Sequence, residues 1–118
     1  MPKKILIVDD YELNLNLIEE ILSEQNYNLF FARNGAQAIK TIEQNHDINI
    51  ILMDIKMPEI DGFKATKIIR EKNKEVVIIA QTAYAMNYEK QKILSSGFND
   101  YITKPIIDTE LIELIEKY

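Results

Sequence analysis

Five side chains carry the chemistry this sequence offers: Asp9, Asp10, Asp54, Thr82 and Lys104. Each acid, hydroxyl or amine follows a short apolar run. Ile5-Leu6-Ile7-Val8 leads to the acid pair, and Ile48-Asn49-Ile50-Ile51-Leu52-Met53 leads to Asp54. Val76-Val77-Ile78-Ile79-Ala80 precedes Gln81-Thr82-Ala83, and Asp100-Tyr101-Ile102-Thr103 precedes Lys104. Clustered carboxylates repel one another unless a cation sits among them. A hard divalent ion such as Mg²⁺ takes oxygen ligands, commonly one or two carboxylates with phosphate oxygens and waters. An aspartate can also attack phosphorus and carry an acyl phosphate. Phosphoryl transfer needs mainly positioning and charge neutralisation. A metal held by acids, a lysine and a hydroxyl can supply both around a nucleophilic Asp54.

Taken singly, every member has an ordinary explanation. Asp9 or Asp10 could cap a helix, Asp54 could sit in a turn, Thr82 could be a cap, and Lys104 could be a solvated surface lysine. The combination is specific because the elements that carry these residues bring them together. Apolar runs of this length, bounded by turn signals, predict strands buried on both faces. In a parallel sheet their carboxyl ends share one rim, where open α/β sheets place ligands and chemistry.

Between the strands the apolar period changes to a helical one. The spacing predicts a first helix over Tyr11–Gln25 with Leu13, Leu17, Ile18, Ile21 and Leu22 on its buried stripe and Leu15 exposed. Leu29-Phe30-Phe31-Ala32 predicts a further strand. Asn34 is an expected N-cap with Gln37 completing a capping box, and that helix runs to about Asn45. Asp61-Gly62 opens a third helix through Phe63, Ala65, Ile68 and Ile69. The fourth, Asn87 to Ser96, is the most polar, with only Tyr88, Ile93 and Leu94 available for packing. Gly97 is placed to end it in a left-handed conformation, with Phe98 making the following apolar contact. Asp108 is the expected cap of a fifth helix carrying Leu111, Ile112, Leu114 and Ile115. Strand and helix alternate five times, which predicts a parallel sheet covered by helices on both faces.

Composition narrows the classes. A chain of 118 residues with 47% hydrophobic residues reads as one domain, 1–118, with a real core. Its net charge of −5 argues against direct nucleic-acid binding. The lack of cysteine excludes disulfides and zinc–thiolate sites and is compatible with a reducing compartment. No signal peptide or membrane-spanning run is read, so a cytoplasmic location is expected. His46, the single histidine, lies in the polar segment Gln44-Asn45-His46-Asp47 and is expected at the surface.

The whole chain resembles the receiver domains of two-component response regulators. The matching stretches are Ile7-Val8-Asp9-Asp10, Met53-Asp54-Ile55-Lys56-Met57-Pro58 with Asp61-Gly62, Thr82-Ala83, and Tyr101-Ile102-Thr103-Lys104-Pro105. The resemblance implies a flavodoxin-like five-stranded parallel sheet of order 2-1-3-4-5. It implies that Asp54 accepts a phosphoryl group from a phosphohistidine on a histidine kinase or histidine phosphotransfer protein. Asp10, Asp54 and the Lys56 backbone carbonyl would ligate Mg²⁺, with Asp9 assisting indirectly. Lys104 would pair with the phosphoryl group, Thr82 would swing to donate to it, and Tyr101 would move inward. The Lys104-Pro105 bond would be cis. Such a protein is a switch that catalyses only its own phosphorylation and dephosphorylation, read by a downstream protein at residues 87–118. Ala80–Met86 and Ser96–Tyr101 look most like receivers attached to hybrid sensor kinases. Lys56 and Tyr84 flank the acceptor and are expected to tune the lifetime of its phosphoryl group.

Three other readings compete. An aspartate-nucleophile phosphohydrolase would have an Asp-x-Asp arrangement and residues for a substrate pocket, whereas Asp9 and Asp10 are adjacent. A flavin or nucleotide binder would want a glycine- or hydroxyl-rich loop after the first strand, where Asp9-Asp10-Tyr11 is anionic. A partner-binding pseudo-receiver would not need the intact set of Asp10, Asp54, Thr82 and Lys104.

Overall fold

A computed structural model describes residues 2–83 and 87–118, without the side chains of Asn87 and Tyr88. The strands are β1 (Lys3–Val8), β2 (Tyr27–Ala32), β3 (Ile50–Asp54), β4 (Val77–Thr82) and β5 (Asp100–Thr103). The helices are α1 (Glu12–Ser23), α2 (Gly35–Gln44), α3 (Gly62–Lys72), α4 (Asn87–Ser95) and α5 (Asp108–Glu116). The five strands form one parallel sheet in the order β2-β1-β3-β4-β5. This is the flavodoxin-like arrangement expected from the alternation and the family likeness.

Side chains alternate across each strand and so feed two cores. Ile5, Ile7, Ile50, Leu52 and Ile79 meet α1 and α5 on one face. Leu6, Val8, Ile51, Met53 and Ile78 meet α2, α3 and α4 on the other. All five residues of β3 are buried, as a central strand covered on both sides requires. Full burial of an aliphatic side chain is worth about 1.5–3 kcal/mol, so Asp54 is mounted on one of the most firmly held segments.

Helix starts follow the local signals in two cases. Asn34 accepts from Gln37 N at 2.8 Å, and the Gln37 side chain accepts from Arg33 N at 2.8 Å, a capping box displaced by one residue. Asp61 caps α3 through Lys64 N at 2.9 Å. Gly97 has φ +98°, as the left-handed helix end predicts, and Phe98 is buried edge-to-face against Phe63.

Three expectations are corrected. In α1 the buried residues are Leu15, Ile18 and Leu22, while Leu13 is 64% exposed and Leu17 40%. At about 100° per residue Leu13 lies about 140° round the helix from Ile18, whereas Leu15 and Leu22 lie within about 60°; the stripe through Leu13 was misphased. Leu94 in α4 is 52% exposed, and Ile93 is the buried residue of that turn; Tyr88 falls outside the described side chains. Asp108 is not the N-cap of α5: Ile107 holds that position without a side-chain bond, and Asp108 lies in the first turn. A carboxylate there still faces the positive end of the helix.

Candidate functional site

The strand register brings the acids into one row. β1 and β3 pair with Val8 opposite Met53, so the following residues, Asp9 and Asp54, end adjacent strands on the same face. Asp54 lies opposite Gln81 on β4. Thr82 lies opposite Thr103 on β5, and Lys104 N donates to Thr82 O at 2.8 Å, which ties the lysine-bearing turn to the end of β4. Lys104-Pro105 is cis.

Lys104 reaches back across this rim. Its Nζ lies 3.2 Å from Asp54 Oδ1 and 3.3 Å from Asp9 Oδ2. Asp54 Oδ1 also accepts from Lys56 N at 3.3 Å. Asp9 is fully buried, and its Oδ1 accepts from Tyr11 N at 2.9 Å. Its Oδ2 accepts from the Asn14 side chain as well as from Lys104. A buried carboxylate is tolerated only with such partners. Asp10 is exposed beside it. A cleft of about 200 Å³ opens among Asp9, Asp10, Asp54, Lys56, Thr82 and Lys104. Glu89 of α4 reaches the same cleft.

Two acids around one lysine leave the site short of positive charge. Burial pushes the Asp54 carboxyl up to about 6, the Asp9 carboxylate pushes the same way, and Lys104 opposes both. Asp9, Asp10 and Asp54 each offer a carboxylate oxygen within 4.8 Å of the other two. An all-oxygen, doubly to triply anionic set of this size suits a hard divalent cation and would be relieved by one. Mg²⁺ therefore fits the residues present.

The backbone that follows Asp54 is unusual at two points. Glu59 adopts φ +66° in the loop between β3 and α3, an uncommon conformation for a non-glycine residue. Gly62 packs so closely that an added Cβ would lie 2.4 Å from Asp54 O and 2.8 Å from Ile55 Cα. Only glycine allows α3 to begin directly against the end of β3.

The structure thus gathers Asp9, Asp10, Asp54, Lys56, Thr82 and Lys104 at one place. Tyr101 is half-buried against the core on the α4 side, with Lys90 Nζ 5.6 Å above its ring, and does not line the cleft. Tyr84 lies outside the described residues. Sequence reasoning missed Asn14 and Gln81. Gln81 is wholly buried, and its side-chain oxygen accepts from Asn14 Nδ2 at 3.0 Å. A polar residue at the end of an otherwise apolar strand was the available signal. Asn14 was hidden by the misphased stripe, since it lies about 40° from Ile18 on the correct one.

Comparisons with known proteins agree with this arrangement. The family model for the response regulator receiver domain matches residues 5–116. The chain is similar to the polar-differentiation response regulator DivK of Brucella anthropi, 36% identical over 120 residues, covering 100% of this chain and 97% of that protein. It is also 38% identical over 123 residues to hybrid signal transduction histidine kinase I of Dictyostelium discoideum, covering 98% of this chain but only 7% of the kinase. Among solved structures, the receiver domain of the sensor histidine kinase PA1611 from Pseudomonas aeruginosa superposes with a TM-score of 0.90 at 34% identity, covering 100% and 98% of the two chains. That structure has a magnesium ion coordinated in its active-site cleft. The complex of the Saccharomyces cerevisiae phosphotransfer protein Ypd1 with the receiver domain of Ssk1 contains a chain matching at TM-score 0.94 and 29% identity, covering 99% of this chain and 88% of that one.

Proposed function

This chain belongs to the response regulator receiver domains of two-component signalling, and on that premise we propose that Asp54 is its phosphoryl acceptor. The donor is a phosphohistidine on a histidine kinase or a histidine phosphotransfer protein. An Asp54 carboxylate oxygen attacks phosphorus, the P–N bond breaks, and the imidazole leaves with its electron pair. The product is an acyl phosphate on Asp54. Lys104 is already 3.2 Å from the acceptor carboxylate and meets the charge gathering on the phosphoryl oxygens. Asp10 and Asp54, with the Lys56 carbonyl, would hold Mg²⁺ and Asp9 would support it; such an ion would neutralise charge on the phosphoryl oxygens. Thr82, at the end of β4, donates to the phosphoryl group. The observation that carries the reading is the convergence of three carboxylates, a lysine and a threonine from four strand ends on one cleft.

The output follows from charge. Phosphorylation adds roughly −1.5 to −2 charge, and Thr82 and Lys104 can answer it only by moving the segments that carry them. Those segments join at the Lys104 N to Thr82 O bond. The α4 helix follows β4 and, among its described residues, buries only Ile93 fully. It is the cheapest neighbour to shift. Tyr101 moves inward in concert, and the surface of residues 87–118 is read by a downstream protein. The chain acts as a switch with stoichiometric self-modification, in the cytoplasm where its donors reside. Among the described residues no helix is long and apolar enough to cross a membrane. Lys56 and Tyr84 set the lifetime of the acyl phosphate by restricting attacking water; Lys56→Ala is expected to change the dephosphorylation rate.

The test is transfer of labelled phosphate from autophosphorylated histidine kinases or phosphotransfer proteins in Mg²⁺. Stoichiometric labelling that vanishes in Asp54→Asn and with chelator is expected. Label retained in Asp54→Asn, or catalytic turnover of small phosphate esters, would overturn it in favour of another acceptor or a phosphohydrolase.

A further inference from the structure

Gln81 is a buried polar residue of the rim to which the phosphoryl chemistry assigns no part. It is 0% exposed and lies opposite Asp54 in the sheet. Its Nε2 donates to two backbone carbonyls, Val8 O at 3.4 Å and Leu52 O at 3.3 Å. These are the carbonyls of the residue before Asp9 and of the residue two before Asp54. With its amide nitrogen committed there, its Oε1 faces α1 and accepts from Asn14 Nδ2 at 3.0 Å. The same Asn14 nitrogen donates to Asp9 Oδ2. An amide NH₂ has two hydrogens, so Asn14 spends one on Gln81 and one on Asp9.

We infer that Gln81 and Asn14 form a positioning relay that aims the Asp9 carboxylate at the cation site and ties it to β4, the strand that ends in Thr82. Neither residue touches the metal or the phosphoryl group; both act through Asp9. Without the relay, Asp9 keeps Tyr11 N and Lys104. Lys104 is shared with Asp54, so it cannot fix Asp9 once it turns toward a phosphoryl group. Among the described residues, Asn14 is then the side-chain donor to Asp9 that does not have to move during signalling. Gln81 holds Asn14 in the orientation that presents its nitrogen: a flipped Asn14 would set two oxygens against each other at Gln81 and a third at Asp9. Polar groups behind a metal ligand commonly govern affinity in this way. The relay also makes β4 sensitive to the cation, because the residue before Thr82 is bonded through one intermediary to the acid beside the metal.

The inference rests on the cation site proposed above, and the experiment separates the two. Titration calorimetry with MgCl₂ is carried out on the metal-free unphosphorylated protein and on Gln81→Met, Asn14→Ala and the double variant, with thermal unfolding of each. Gln81→Met keeps side-chain length without the amide, and Asn14 is half-buried on a helix, so Asn14→Ala folds even where the strand variant does not. Each single change is expected to weaken Mg²⁺ binding about threefold, less than the ~10-fold typical of groups bonded directly to a ligand, because Asp9 supports the ion indirectly. The double variant is expected to bind no more weakly than the worse single one, as members of one chain must. Arg70→Ala, at the far end of the sheet, is the control for lost stability alone and is expected to leave Mg²⁺ affinity unchanged. Lowered melting temperatures with unchanged Mg²⁺ affinity, or additive losses in the double variant, would overturn the relay. No Mg²⁺ binding by the unaltered protein would overturn the cation site and the relay together.

Discussion

The two ends of the same sheet are built on opposite principles. Where the strands begin, donors meet acceptors. Asn49 accepts from Lys4 N at 2.8 Å and donates its own N–H to Lys4 O at 2.9 Å. Asn99 does the same for β4, accepting from Ile78 N at 2.8 Å and donating to Ile78 O at 2.8 Å. Arg70 ties the α3–β4 loop to the α4–β5 loop through Val76 O at 2.6 Å, Gly97 O at 2.9 Å and the Asn99 side chain at 2.6 Å. Where the strands end, like meets like. Asp9, Asp10 and Asp54 crowd together, and Lys104 is divided between two of them. One end is arranged for stability. The other holds a surplus of negative charge that a cation would relieve, and the fold tolerates it because β3 and the C-terminal parts of β1 and β4 beneath it are buried.

This contrast can be broken at either end. The largest stability change is expected at the well-paired one: Arg70→Ala should cost about 2–3 kcal/mol, seen as a lowered denaturant midpoint, with phosphorylation intact. A loss of phosphorylation alongside would mean that the two ends are not independent. At the rim the sign should reverse. Asp54→Asn removes a carboxylate from beside Asp9 and should raise the melting temperature of the metal-free protein while abolishing labelling. A destabilised Asp54→Asn would show that Lys104 more than compensates the acids.

The pH dependence sharpens the same point. The folded-state pKa of Asp54, about 6, lies above its ordinary 3.8. Between these values the folded protein binds more protons than the unfolded chain. The contribution of Asp54 to stability is therefore greatest below about pH 4, falls as pH rises to about 6, and is flat above. Unfolding of the metal-free protein across pH 4–7, compared with Asp54→Asn, should show this fall only in the unaltered chain. The smallest expected effect belongs to Asp10→Asn. This exposed acid adds only partly screened repulsion, so its removal should raise the metal-free melting temperature slightly and reduce Mg²⁺ affinity. A lowered melting temperature would make Asp10 a structural residue instead.

Much of the molecule was legible because the signals are local. The five apolar runs, the caps at Asn34 and Asp61 and the left-handed Gly97 each depend on a few neighbouring residues. Even the misphased α1 stripe was a local error, correctable from the helical period once Leu15, Ile18 and Leu22 are placed on one wheel. Asp108 shows the limit of cap reading: an acid at a helix start looks the same whether it caps the helix or sits in its first turn. Arg70 gave no signal at all, for an arginine on a polar helix face reads as solvated until the loops around it are in place.

By itself the sequence determined which residues end strands and in what order the strands and helices alternate, since side-chain period and turn chemistry act over a few residues. Only the tertiary structure decided which of those ends touch. The 3.2 Å approach of Lys104 to Asp54, and the Gln81–Asn14–Asp9 relay, depend on strand register and helix rotation. Both are set by packing between elements distant in the chain, and no local pattern encodes them.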